Sequence, residues 1–241
     1  TDYANIAAVF QGVYAVSMLF VGPLVDKLGT RWGYGVAIIV WSVGALVHAL
    51  AIPIGEGLST MLGWVGITTF SVSVLGFMFS RAVLALGESG NFPAAIKATA
   101  EYFPKHERSF ATGIFNSGTN IGAILAPLTV PWIYRHWGWE AAFIIIGGIG
   151  FFWLALWLIM YERPEKQKRL SAAELAYINK DEDDEKVGVK KDSNENKVSW
   201  VKLLEYRQTW AFAFGKFMTD GVWWFFLFWL PAYLKAQYGI I

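Results

Sequence analysis

The chain has 241 residues, of which 55% are hydrophobic, 17% are aromatic and only 16% are charged. Soluble domains carry about a quarter charged residues, so this composition argues against a soluble globular protein. The formal net charge of +1 implies no nucleic-acid partner, and the absence of cysteine excludes a disulfide framework and a cysteine-based metal site.

The charged residues are distributed unevenly along the chain. Roughly half of them lie between Glu162 and Arg207, and the rest of the chain is nearly devoid of charge. This pattern is typical of several membrane spans around one soluble linker. We refer to residues 162–207 as the charged linker.

Long apolar segments occupy most of the remaining sequence. Each approaches or exceeds the ~20 residues that a helix needs to cross about 30 Å of hydrocarbon. The predicted spans are Asn5–Val25, Gly33–Ala51, Phe70–Phe92, Ser109–Ile133, Ala141–Met160 and Trp210–Tyr233. Membrane helices tolerate the glycines and prolines in these segments, because small residues allow close helix packing. The sequence therefore predicts an all-α, multi-pass membrane protein.

Basic residues in the short loops predict the orientation in the membrane. Asp26–Trp32, Lys97–Arg108 and the charged linker contain lysine and arginine, whereas Ile54–Thr69 contains neither and Tyr134–Glu140 contains one arginine. By the positive-inside rule, the basic loops lie on the cytoplasmic side. The segment Ile54–Thr69 is then predicted to be an external connection.

The charged linker is predicted to contain local structure at both ends. Leu170–Lys180 reads as a short helix with Ser171 as its N-cap and Glu174 at the third helical position. Asp181–Lys197 is charged and poor in apolar residues, which predicts a flexible segment. Trp200–Tyr206 is predicted to be an interfacial helix that leads into the last span.

Arg81 and Glu88 lie inside the third predicted span. Ionisable groups within a membrane helix are costly and usually mark a substrate or proton path. Their spacing of seven places both on one helical face, roughly 10.5 Å apart along the axis, which is too far for direct neutralisation. This arrangement suggests a site that binds an anion and moves a proton. The alternatives are a structural arginine that pairs elsewhere and a carboxyl group that is buried for packing.

A pattern of glycine and charged residues joins the first two spans. Gly29 is suited to a turn between helices, and Asp26 near a helix end can meet a cation or the N-terminus of a neighbouring helix. The pattern comprises Gly22, Asp26, Lys27, Gly29 and Arg31, and the alternative is an ordinary loop that contains glycine. In a membrane protein this pattern resembles the loop signature of the major facilitator superfamily.

Three longer stretches resemble one branch of that superfamily, the anion:cation symporters. Arg81–Ala94 together with Tyr102–Arg108 is similar to the fourth span of these transporters and the loop after it. Gly113–Pro127 is similar to the fifth span, and Lys216–Pro231 resembles the seventh span of the hexuronate transporters. The resemblance covers essentially the whole chain.

The resemblance implies a domain organisation. The six predicted spans correspond to helices 2 to 7 of a twelve-helix transporter, so helix 1 and helices 8 to 12 are expected to be missing. Residues 1–161 would form most of the N-terminal bundle, residues 162–208 the cytoplasmic linker, and residues 209–241 the first helix of the second bundle.

The resemblance also implies a function. It indicates proton-coupled symport of a sugar acid, glucuronate or galacturonate, across a bacterial inner membrane by alternating access. The partners would be a small organic anion, a proton and the lipid bilayer, with no cofactor, no metal and no enzymatic activity. The oligomeric state is not fixed by the sequence, and we expect a monomer. In this reading Arg81 holds the carboxylate and Glu88 carries the coupled proton.

Further substrate contacts are implied on three other spans. The resemblance implies roles for Tyr14, Asn116, Thr119, Asn120 and Lys216. Amide and phenol groups suit sugar hydroxyls because they offer both donors and acceptors, and Lys216 would contact a further oxygen. The alternatives are polar contacts between helices, an interior aromatic at Tyr14, and neutralisation of Lys216 by Asp220 one turn away.

Other functions find less support in the sequence. No glycine-rich loop ends in Lys-Ser or Lys-Thr, so ATP is not the expected driver. The three histidines have no metal-ligand spacing. The remaining alternatives are transport of another organic anion, such as the aldonate galactonate or a dicarboxylate, and a membrane scaffold or sensor that does not transport.

Overall fold

The computed structural model describes residues 2–66, 69–188 and 200–239, and all regular secondary structure in these ranges is helical. The chain divides into two compact units, Thr1–Glu185 and Lys186–Ile241. The predicted all-α fold is therefore confirmed.

The helices are numbered in chain order. Those up to residue 188 are α1 (Asp2–Leu28), α2 (Thr30–His48), α3 (Ala51–Trp64), α4 (Val72–Glu88), α5 (Asn91–Tyr102), α6 (Arg108–Trp137), α7 (Trp139–Met160) and α8 (Ala172–Gly188). A single 3₁₀ turn, Pro164–Lys166, lies between α7 and α8. The helices after residue 199 are α9 (Trp200–Leu203), α10 (Arg207–Phe228) and α11 (Leu230–Tyr238).

In the described ranges, four helical segments are long and apolar enough to cross a membrane: α1, α2, α4 together with α5, and α7. The predicted fourth and sixth spans are also helical, and α6 and α10 have 30 and 22 residues. These two helices are long enough but less apolar than the four spanning segments, because α6 carries two asparagines and α10 carries a lysine and an aspartate.

Large apolar side chains cover the outside of the helices. Phe110, Ile114, Ile124 and Leu128 of α6 are all more than half exposed. Monomeric soluble proteins rarely expose contiguous apolar surface of this extent, and lipid is the solvent in which such a surface is stable. The exposed apolar surface and the spanning helices thus agree on a multi-pass membrane protein.

The segment Ile54–Thr69, predicted to be an external connection, contains a helix that was not predicted, because α3 occupies most of it. Helix α3 continues the path of α2 along α4. Val47 of α2 lies beside Ser80 of α4, whose hydroxyl is 3.3 Å from the Val47 carbonyl oxygen. Further along, Ala51 meets Gly76, and Gly55 meets Val72. As the numbers rise along α2 and α3 they fall along α4, so the packing is antiparallel throughout.

Glycines make this contact close. At Gly55, Gly76 and Gly87, an added β-carbon would overlap backbone atoms of the facing helix. At Gly44 it would lie 2.6 Å from the amide nitrogen of Leu84. We call this row of contacts the glycine seam. Small residues at helical spacing in Ala51–Trp64 were therefore an indication of helix packing that the prediction from sequence did not use.

The third predicted span extends beyond its expected end. Helix α4 is followed directly by α5, with an interruption at Ser89 and Gly90. Pro93 lacks an N–H group and cannot bond to the carbonyl of Ser89, four residues earlier, which accounts for the break. Lys97, which was expected in a loop, consequently lies on a helix.

Two other predicted boundaries also change. The last span is interrupted at Trp229, where Pro231 removes one bond of the helical ladder. In the charged linker, the predicted capping box forms: the Glu174 amide donates to the Ser171 hydroxyl over 3.2 Å, and the Ser171 amide donates to the Glu174 carboxylate over 2.8 Å. The hydrogen bonds that the Ser171 amide and hydroxyl donate to the carboxylate hold the pKa of Glu174 below its ordinary value.

The linker helix that follows this cap is longer than expected. Helix α8 runs to Gly188, so the start of the segment predicted to be flexible is helical. Residues 189–197 of that segment lie outside the described residues. The expected interfacial helix at Trp200–Tyr206 is reduced to the single turn of α9.

Candidate functional site

A cavity of about 500 Å³ opens among α1, α2, α4, α5 and α7. Its polar lining residues are Tyr14, Trp41, His48, Arg81, Glu88 and Asn91. Its apolar lining residues are Ala45, Leu84, Phe143 and Ile146. The volume and the mixture of a mainly apolar wall with a few polar groups are typical of small-molecule sites.

Arg81 and Glu88 both line this cavity, as expected from their seven-residue spacing on α4. No salt bridge joins them or links Arg81 to another carboxylate within the described ranges. The Arg81 guanidinium lies over the ring of Phe10 of α1, 5.7 Å from its centroid. This cation–π contact supports the side chain from one side and leaves its N–H donors available to an anion.

Tyr14 of α1 is the other predicted site residue that reaches the same cavity. It stacks on Phe10 with the ring centroids 5.9 Å apart. Phe10 therefore contacts both Tyr14 and Arg81, and it holds α1 and α4 in register at the level of the site.

The remaining predicted substrate contacts are not brought to this cavity. Asn116, Thr119 and Asn120 lie on an exposed part of α6 and are absent from its lining. Lys216 belongs to the second unit, where its ammonium group contacts the Asp220 carboxylate at 2.7 Å. The Lys216–Asp220 ion pair, which was the alternative to a substrate role for Lys216, thus forms within α10.

Sequence reasoning missed three polar groups of the cavity, which are Trp41, His48 and Asn91. His48 was set aside because it has no metal-ligand spacing, but its side chain is only 1% exposed. The available signal was an ionisable residue at the end of an apolar span, the same signal that identified Arg81 and Glu88. Asn91 accepts a hydrogen bond from the Tyr34 hydroxyl over 2.7 Å, and its position just after Glu88 indicated the same face of the bundle.

The loop signature forms a second polar cluster at the predicted cytoplasmic end of the helices. Helix α1 continues through Gly22 and Lys27 to Leu28, so most of the expected loop is helical. Only Gly29 breaks the helix, with the positive φ of 76° that a glycine adopts readily. The sharp turn expected at Gly29 is therefore confirmed, and it is shorter than expected.

Two basic residues link this turn to other helices. Arg31 forms a salt bridge with Glu162 just after α7 and donates to the Leu158 carbonyl over 2.7 Å. Lys97 of α5 forms a salt bridge with Asp26 of α1 at 2.7 Å. The cluster thus ties the α1–α2 turn to α5 and to the end of α7.

Glu101 of α5 is the centre of the cluster, although the sequence did not single it out. It accepts hydrogen bonds from the Thr30 hydroxyl at 2.5 Å and from the Tyr161 hydroxyl. Burial and the hydrogen bond to Glu101 raise the pKa of Tyr161 above its ordinary value. The phenol therefore stays protonated at neutral pH and continues to donate to the carboxylate.

Comparison with known proteins places these features in a family. Residues 1–240 match the Major Facilitator Superfamily. The hexuronate transporter of Escherichia coli strain K12 is 33% identical over 239 residues, which is 99% of this chain and 50% of that protein. The galacturonate transporter of Dickeya chrysanthemi is 31% identical over 99% of this chain and 62% of that protein. The D-galactonate transporter of E. coli O6:H1 is 32% identical over 99% of this chain and 52% of that protein.

The chain thus spans about half the length of the curated relatives that it matches. The match extends from α1 to α11 and includes both the cavity and the cluster around Glu101. It agrees with the resemblance expected from the loop signature and from the segments around Arg81 and Lys216. The chain belongs to the major facilitator superfamily.

Proposed function

We propose that this chain is part of a proton-coupled transporter that takes up a sugar acid, glucuronate or galacturonate, across a bacterial inner membrane. The observation that carries the proposal is the cavity in which Arg81 forms no salt bridge with any described carboxylate and Glu88 lies on the same helical face. The similarity to hexuronate and galacturonate transporters supports the choice of substrate class.

Arg81 binds the carboxylate of the substrate. A guanidinium remains protonated at all physiological pH values and presents its N–H donors in a fork that matches a carboxylate. Leu84, Phe143 and Ile146 offer apolar surface to the C–H faces of a sugar ring. Together they give a site that favours an anion with a partly apolar body.

Glu88 couples the proton to the anion. When Glu88 is ionised, its charge balances that of Arg81. Binding of an anion would then give the cavity a net negative charge. When Glu88 is protonated, the anion neutralises Arg81 and the loaded cavity is uncharged. Binding of the proton and binding of the anion therefore favour each other, and this linkage is reciprocal.

Transport proceeds by alternating access around a site near the middle of the membrane. Asn116, Thr119, Asn120 and Lys216 remain proposed contacts that complete the site when the two halves of the whole transporter enclose the substrate. The cluster that joins Arg31, Glu101 and Glu162 stabilises one end of the bundle during this cycle.

A second candidate is the same machinery acting on another organic anion. The similarity to a D-galactonate transporter favours an aldonate, and a dicarboxylate fits the same guanidinium. A membrane scaffold or sensor that does not transport is a candidate of another class. The Arg81 guanidinium argues against it, because a charge within a membrane helix is costly and this one has no carboxylate partner in the described part of the chain.

Counterflow in liposomes tests the proposal. The intact protein is reconstituted, preloaded with unlabelled glucuronate and supplied with labelled glucuronate outside. We expect accumulation of label, with competition by galacturonate. Stronger competition by galactonate or a dicarboxylate would reassign the substrate, and no exchange of any of these acids at any pH would refute the transporter assignment.

A further inference from the structure

The guanidinium of Arg81 has one polar or aromatic partner in the part of the chain that the structure describes. It forms no salt bridge there and no hydrogen bond. Its partner is the ring of Phe10 on α1, whose centroid lies 5.7 Å from the guanidinium carbon. A ring face attracts a cation within about 6 Å of its centroid. A neutral ring thus holds the group that is proposed to bind the substrate carboxylate.

Phe10 is itself held in place on α1. Its ring stacks on Tyr14, one turn later, with centroids 5.9 Å apart and planes 28° apart. Side chains four residues apart lie on one helical face, so the two rings form one aromatic surface of α1 next to Arg81 of α4. Tyr14 and Arg81 line the cavity, whereas Phe10 is not among the lining residues. Phe10 therefore contacts two lining residues from behind the cavity wall.

Support of this kind matters because arginine has a long side chain. A free guanidinium samples many rotamers, and an anion that binds it must restrict them. A cation–π contact corresponds to roughly 2- to 30-fold in the population of the supported rotamer, with the larger value where the charge is removed from water. Phe10 therefore favours the conformation in which Arg81 faces the cavity.

The chemistry of an aromatic ring suits it to support an anion-binding cation. A carboxylate in the same place would hold Arg81 more strongly, but it would neutralise the charge and compete with the substrate for the same N–H donors. An aliphatic side chain would leave the cation beside apolar surface without electrostatic compensation, which is costly. A ring attracts the cation through its quadrupole and leaves the formal charge intact.

We propose that Phe10 is a positioning residue for anion binding. Its ring holds the Arg81 guanidinium in the wall of the empty cavity, with the positive charge retained for the substrate carboxylate. This inference rests on the proposed function and adds to it a residue that acts through Arg81. The alternative is that Phe10 only fills space between α1 and α4, as another apolar side chain of its size would.

Fluorination of the ring separates these two roles. Each fluorine withdraws electrons from the ring face and weakens its attraction for a cation, while the ring keeps its shape and nearly its size. Phe10 is replaced in the intact protein by phenylalanines that carry one, two or three ring fluorines. The same series at Phe20 is the control, because this ring on the same helix is 68% exposed and has no cation contact in the described ranges.

The measurement is counterflow of labelled glucuronate in liposomes over a range of glucuronate concentrations. We expect the KM to rise with each fluorine at Phe10, by roughly 2- to 30-fold over the whole series. The maximal rate should stay near that of wild type, because support of Arg81 contributes to binding in the ground state and the transition state alike. The series at Phe20 should change neither quantity.

Three results would overturn the proposal. The first is a KM that does not depend on the number of fluorines at Phe10, because a ring that only fills space is indifferent to its electron density. The second is an equal rise of the KM in the Phe20 series, and the third is a fall in maximal rate at constant KM. If wild type exchanges no sugar acid at all, the proposed function itself fails and the role of Phe10 fails with it. That outcome differs from the other three, in which wild type still exchanges glucuronate.

Discussion

Gly76 of α4 lies directly against the carbonyl oxygen of Ala51 of α3, without room for a β-carbon between them. Replacement of Gly76 by alanine must push the two helices apart along the glycine seam. Overpacking of this kind costs roughly 1–3 kcal/mol, and here the obstacle is backbone, which cannot rotate away. We expect Gly76→Ala to lower the midpoint of thermal unfolding of the purified protein in detergent.

Gly57 of α3 supplies the matched control. No atom lies within 4 Å of a β-carbon placed there, so the same substitution gains helix propensity without a clash. Gly57→Ala should be neutral or stabilising by roughly 0.5–1 kcal/mol. If both alanine variants unfold at the same temperature, the seam is not the close backbone contact described here.

Arg81→Lys should weaken sugar-acid binding although the charge is retained. A lysine offers a compact point charge and cannot reproduce the two parallel bonds of a guanidinium to a carboxylate. Loss of one charge-assisted bond is worth about 1.5–3 kcal/mol, which is roughly 10- to 100-fold in affinity. Titration of the variant with glucuronate measures the change.

Arg135→Lys is the control, because this arginine near the end of α6 is exposed and distant in sequence from the site. The affinity of the Arg135→Lys variant for glucuronate should equal that of wild type. Wild-type affinity in Arg81→Lys would instead assign Arg81 a structural role.

Glu88→Gln should separate exchange from accumulation. A glutamine has similar shape and hydrogen-bonding capacity but cannot carry a proton. We expect the variant to lose uptake driven by a pH gradient and to retain counterflow of glucuronate at equal pH on both sides. Glu56→Gln, a change on an exposed face of α3, should leave both activities intact. Undiminished pH-driven accumulation in Glu88→Gln would reassign the proton to another group.

Glu101→Gln should destabilise the protein more than Asp26→Asn. Both carboxylate oxygens of Glu101 accept hydroxyl hydrogens, so an amide would present a second donor to one of them, at a cost of about 1–3 kcal/mol. The Asp26–Lys97 pair is exposed on the aspartate side, and such surface pairs are worth about 0–1 kcal/mol. Thermal unfolding of the two variants gives the ranking, and the reverse order would show that the salt bridge is the stronger contact.

The sequence was informative where one physical constraint dominates. Bilayer thickness sets the length of an apolar helix, so each of the six predicted spans coincides with helical structure, and four of them fall on segments long and apolar enough to cross a membrane. The seven-residue spacing of Arg81 and Glu88 sufficed to predict a shared cavity, because helix geometry fixes which residues share a face. The cap of Ser171 and Glu174 was equally local, since both partners lie within one helical turn.

Contacts between distant residues were beyond the reach of such arguments. Glu101 is unremarkable in sequence, and only the fold brings Thr30 and Tyr161 to its carboxylate. Helix α3 was missed because Ile54–Thr69 was assigned to an external connection from its lack of basic residues, whereas Gly55 packs closely against Val72 of α4. His48 was missed because a histidine without metal-ligand spacing was given no other role.

The glycine seam has a mechanical consequence. The backbones of α2 and α4 touch at Gly44 and Gly87, so no layer of side chains separates the two helices at these points. We therefore expect α2 and α4 to move as one rigid unit throughout the transport cycle. Spin labels at exposed Val43 and Leu86 should report one unchanging distance, and a second distance on addition of substrate would contradict this expectation. Arg81 on α4 and the cavity residues on α2 would then keep their relative positions, and access to the site would change by movement of the helices around this pair.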